Sequence, residues 1–145
     1  MLVFVLRRVI TCSRWQELVD SMRFHVGLAH AANAASEFRL LNGAPPCLVG
    51  CGQSDDGYHE IVAALRHPPR GGTPLCRHIR DIVGQIKAME SEIRARNQVV
   101  AVVIATDGRS SDGDIVEELR PMEKLPVQIV VGTPVCSSLT LLLSV

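Results

Sequence analysis

The run Val99-Val100-Ala101-Val102-Val103-Ile104-Ala105 constrains this chain more than any other stretch, because it is wholly apolar, mostly β-branched, and closes on Thr106-Asp107-Gly108. It is far shorter than a membrane-spanning helix, and its branched side chains favour extended backbone. An apolar run with no polar interruption predicts a strand over Val99 to Thr106 that is central in its sheet and covered on both faces. Such a strand needs helices to cover it. Upstream, Leu75, Ile79, Ile82, Val83, Ile86 and Ile93 recur at helical spacing and predict a long helix to about Arg96. Thr73-Pro74 opens it, with a hydroxyl for the cap and a proline at the first helical position.

The rest of the chain alternates in the same way. Leu2 to Leu6 reads as a short apolar strand buried on both faces. Ser13-Arg14-Trp15-Gln16 fits a capping box, and Trp15, Leu18, Val19, Met22, Val26 and Ala29 give one helical face running to about Ala32. Glu37 to Leu41 reads as a strand that stops at Asn42-Gly43. Asp55 or Asp56 caps a short helix through Ile61, Val62 and Leu65, which His67-Pro68-Pro69 terminates. Ser111 or Asp112 caps another through Ile115, Val116 and Leu119, ended by Pro121, and Pro126 to Val131 is a last strand. Strands alternating with helices predict the α/β class, a doubly wound and mostly parallel sheet with helices on both faces. With 145 residues and no linker or repeat, the chain is expected to form one domain, with a core over 2–131 and a tail at 132–145.

Composition narrows the function. Fifteen basic and fifteen acidic residues give a formal net charge of zero, and aromatics are only 3% of the chain, so neither phosphate backbones nor stacked bases have an evident partner here. Nucleic acid and membrane spans are not expected. Five cysteines, an odd number in a domain large enough to do without staples, suggest reduced thiols. Arg7-Arg8 follow the apolar Met1 to Leu6 on the wrong side for a signal peptide, so a cytoplasmic location is expected. No Gly-x-Ser-x-Gly elbow or phosphate-cradling loop occurs, Cys47 and Cys51 have no second pair for zinc, and the acids from Asp107 to Glu118 do not follow calcium-loop spacing.

In doubly wound sheets ligands gather at the carboxyl ends of the strands, which directs attention to the loops after Leu6, Thr106 and Val131 and to the turn into the long helix. Gly71-Gly72-Thr73-Pro74 offers a hydroxyl at a helix tip, and Ala105-Thr106-Asp107-Gly108 a carboxylate at a strand tip, both hard oxygen donors of the kind Mg²⁺ takes. Each also has an ordinary role, Thr73 as a helix cap and Asp107 as a turn residue. The two motifs, with Thr73 and Asp107 34 positions apart, resemble those of von Willebrand factor A-type domains, and the likeness extends over roughly Leu2 to Val131. It implies a noncatalytic protein-binding module whose partner edge includes Arg7, Thr73, Asp107 and Arg109. The family's metal-ion-dependent adhesion site would fall on Thr73 and Asp107, with Thr11 or Ser13 as weak additions. Where the family has an Asp-x-Ser-x-Ser loop, this chain has Arg7-Arg8-Val9-Ile10-Thr11-Cys12-Ser13, and a guanidinium repels a cation. The site is thus degenerate, with Mg²⁺ binding weak or lost, and the chain is expected to lack the family's last strand and helix. The alternative is a Mg²⁺-dependent hydrolase or phosphoryl-transfer enzyme using Asp107.

Overall fold

A computed structural model describes residues 13–52, 56–68, 70–106 and 109–132. The strand expected at Leu2 to Leu6, the tail, and the site candidates Arg7, Thr11 and Asp107 lie outside these residues. In chain order the elements are α1 (Arg14–Ala31), β1 (Ser36–Phe38), β2 (Cys47–Val49), α2 (Asp56–Ala64), α3 (Leu75–Ala95), β3 (Val100–Ala105), α4 (Ile115–Leu119), a 3-10 turn (Arg120–Lys124) and β4 (Val127–Gly132). The chain is a mixed α/β protein.

Ser13 starts α1 as expected, its hydroxyl accepting the Gln16 N–H at 3.1 Å. Both long helices end alike. After α1, Asn33 takes φ 49° and the Ala34 N–H reaches back to the Ala29 carbonyl; after α3, Asn97 takes φ 53° and the Gln98 N–H reaches the Ile93 carbonyl. Asparagine tolerates this left-handed position better than most residues, so both ends close their free carbonyls without glycine.

β3 and β4 pair in parallel, Val100 opposite Val127 through Ala105 opposite Gly132, with α4 and the 3-10 turn in the crossover. The stripe of α3 (Leu75, Ile79, Val83, Ile86, Ile93) packs on Val102, Ile104 and Met122. Cover on both faces of β3 was expected, but its burial alternates: Val102 and Ile104 are each 8% exposed, whereas Val103 is 56% exposed. α3 takes one face of the pair, and no other described element takes the opposite one.

A second apolar cluster joins Val19, Val26 and Ala29 of α1, Cys47 and Val49 of β2, Ile61 of α2 and Leu65 just beyond it. There the strand expected at Glu37 to Leu41 is shorter, Ser36–Phe38, and pairs antiparallel with β2, a strand the sequence reading did not contain. Three residues between Pro46 and Gly50 are too few to establish a periodicity, and β2 owes its existence to packing against α1 and α2.

The two proline landmarks also shift. Pro74, expected as the first helical residue, is the cap residue at ψ 55°, and Thr73 lies one position further out. Pro121 closes α4 but then enters the first turn of the 3-10 segment, where its missing N–H leaves no partner unsatisfied.

Candidate functional site

Pro74 supplies no side-chain cap, so the first amides of α3 would be left without acceptors. The loop after β3 provides them. Asp112 accepts the Cys76 N–H at 3.0 Å through Oδ1 and the Arg77 N–H at 2.8 Å through Oδ2, doing from 36 residues away what a cap residue does locally. A carboxylate there also faces the positive end of the helix dipole. Ser110 steadies it, its hydroxyl donating to Asp112 Oδ1 at 2.7 Å and lying 3.2 Å from the buried Cys76 Sγ.

One residue earlier the two segments hold each other in both directions: the Thr73 N–H donates to Ser111 Oγ at 2.9 Å, and the Ser111 N–H donates to the Thr73 carbonyl at 2.9 Å. The approach depends on glycine. A Cβ on Gly72 would fall 2.8 Å from Ser111 Oγ and 3.3 Å from its Cβ, closer than side chains pack. A third segment joins from the other side, since Asn42 Nδ2 donates to the Gly72 carbonyl at 2.6 Å and His78 Nε2 lies 3.1 Å from the Leu41 carbonyl. The tip of α3 is therefore a junction of 41–42, 72–73 and 110–112.

Thr73 thus meets the loop that follows Thr106, through its backbone atoms. Ser13 caps α1, and Arg109 is exposed beside the junction. Thr73 is not the cap of α3, and neither Ser111 nor Asp112 caps α4: Asp114 does, accepting the Val116 N–H at 2.9 Å. Two acids flank Gly113, and its φ of 148° turns the chain so that the first serves the remote helix and the second the nearer one. Ser110 and Asp112 were missed as site residues for that reason. The available signal was the surplus of capping residues, since Ser111, Asp112 and Asp114 all precede one short helix.

The ionisation of Asp112 follows from its contacts. The Ser110 hydroxyl, then the Arg77 and Cys76 amides, hold its carboxyl down to about 2, against an ordinary value of 3.8. A depressed carboxyl contributes stability above its unfolded value and loses that contribution as pH falls toward its folded one. The thermal midpoint of the wild type should therefore exceed that of Asp112→Asn at pH 6, and the difference should close between pH 4 and about 2. A difference that stayed constant over that range would show that the charge is not what binds the helix tip.

The Asp112 carboxylate accepts helix amides and the Ser13 hydroxyl accepts from α1, and no cluster of three or more His, Cys, Asp or Glu side chains occurs among the described residues. No described helix is long and apolar enough to cross a membrane. Comparison with protein-family models, curated proteins and solved structures finds no match.

Proposed function

We propose that this chain is a noncatalytic protein-interaction domain of the von Willebrand A type, built on a doubly wound parallel sheet, with its partner edge around Thr73, Asp107, Arg109 and the loop bearing Arg7. The observation that carries the reading is the reciprocal pair of hydrogen bonds between Thr73 and Ser111, which joins the segment entering α3 to the loop after β3. The parallel β3–β4 pair with a helical crossover, and α3 on its face, are compatible with it. A pre-braced edge loses little conformational freedom when a partner docks, and the exposed guanidinium of Arg109 suits a carboxylate on that partner. The thiols of Cys47, Cys51 and Cys76 are free, which is compatible with an intracellular location.

Metal is not required for this edge to bind. Isothermal titration with Mg²⁺ or Mn²⁺ should give no constant tighter than about 1 mM. A micromolar constant would restore the adhesion-site reading that the arginines of the first loop argue against. The hydrolase reading makes the opposite prediction, Mg²⁺-stimulated turnover of p-nitrophenyl phosphate that Asp107→Ala abolishes; the binding module should show none. Contact can be read by placing a photo-crosslinking residue at Arg109 and, as control, at Arg96 on the far end of α3. A discrete adduct from 109 alone supports the edge, and equal labelling from both positions contradicts it.

A further inference from the structure

Asn42 belongs to the junction through its amide, and on its other side the chain forms a cavity of about 530 Å³ between the turn at 40–44 and the end of α2. That volume lies within the range of small-ligand sites. Its walls divide by chemistry. Leu40, Ala44, Ala64 and Pro68 supply apolar surface, and Asn42, His67 and Arg70 supply polar groups. None of these is acidic.

Arg39, Arg80, Arg94, Arg96 and Arg120 each hold a carboxylate. Arg70, like Arg23, Arg66, Arg77 and Arg109, has no ion-pair partner among the described residues, and it is the one of these that lines the cavity. The carbonyls at the end of α2 would oppose an anion, but those of Ala63 and Ala64 already accept the Arg66 and His67 N–H groups, each at 3.2 Å. A concave apolar surface with a free guanidinium and an imidazole at its rim matches an amphipathic anion, and the planar fork of arginine matches a carboxylate in particular.

We propose that this cavity binds a carboxylate carrying a short apolar group, the carboxylate on Arg70 and the apolar group against Leu40 and Ala64. Two sources present that chemistry, a free aliphatic acid and the C-terminal end of a peptide. The proposal goes beyond the interaction edge and does not depend on it.

The test is amide-resolved NMR titration of the full chain with hexanoate, with N-acetylleucine and with N-acetylleucine amide. Saturable shifts are expected at Asn42, Gly43, His67 and Arg70, with Kd on the order of 1 mM for the acids and no saturation for the amide. Tighter binding of hexanoate identifies a free acid as the ligand, and tighter binding of N-acetylleucine a chain end. Arg70→Gln should weaken both at least fivefold with an unchanged melting temperature, and Arg66→Gln should leave them unchanged. The proposal is overturned if neither acid saturates, if the amide binds as well as the acid, or if Arg70→Gln binds like the wild type.

Discussion

Gly57→Ala should lower the stability of this protein by about 3 kcal/mol or prevent it from folding, although alanine is normally the better helix former by about 1 kcal/mol. Gly57 is the second residue of α2, and the helix lies directly on β2 at this point. A Cβ there would overlap the Leu48 carbonyl oxygen and come within 2.9 Å of its carbon and 3.2 Å of its nitrogen. These are backbone atoms, so no rotamer change relieves the contact. Nor can the strand retreat, because Cys47 and Val49 on either side of Leu48 are 3% and 2% exposed and sit in the α1–α2 cluster. Relief requires α2 to move off the strand, which uncovers Ile61. Gly84→Ala on α3 is the matched control. Nothing lies within 4 Å of its would-be Cβ, so there propensity alone acts, and a gain of about 0.5–1 kcal/mol is expected. Urea unfolding of the two variants should therefore give changes of opposite sign.

The second large effect concerns the junction. Asp112→Ala removes the acceptor of two α3 amides at once and leaves Pro74, which cannot replace it, as the only residue at the cap. Hydrogen exchange at the Cys76 and Arg77 amides should accelerate by roughly tenfold, since each loses the bond that closes it. The loss should spread to Ser111, whose position depends on the same loop, while amides in the middle of α3, such as that of Ile86, keep wild-type rates. Asp114→Ala provides the contrast. It removes the cap of α4 and should leave Cys76 and Arg77 unchanged. If both variants accelerated the same amides, the loop would be folding as one unit and Asp112 would have no special part in it.

Much of this arrangement was legible in the residues, and the limits have physical causes. The stripe of α3, the capping box at Ser13 and the branched runs of β3 and β4 are local patterns, and each element formed close to its expected bounds. β2 was not legible because a three-residue strand has no period of its own and is fixed by what packs on it. The expectation that both faces of β3 are covered rested on a solid apolar run; among the described residues α3 covers one face, and Val99 and Val103 are 64% and 56% exposed. The convergence expected from the paired motifs was of the Thr73 hydroxyl with Asp107, which lies outside the described residues; what the structure shows is the Thr73 backbone bonded to Ser111. The contacts of Asp112 were not legible, because cap rules look a few residues along the chain and Asp112 acts across 36 and 35 residues on Cys76 and Arg77. The close fit at Gly72 was likewise invisible, because a glycine needed for space looks in sequence like one needed for a turn.

The contact between those two segments carries the proposed function and can be measured directly. With both positions replaced together, Gly72→Cys and Ser111→Cys, the Cβ atoms would stand about 3.3 Å apart, close to the separation found in disulfides. Under mild oxidation of the folded chain, peptide mapping should find a bond joining positions 72 and 111 within one molecule, with the melting temperature raised. If the two thiols stay reduced in a chain that melts cooperatively, or pair only between molecules, the helix tip and the loop after β3 do not meet, and the interaction edge is not where we have put it.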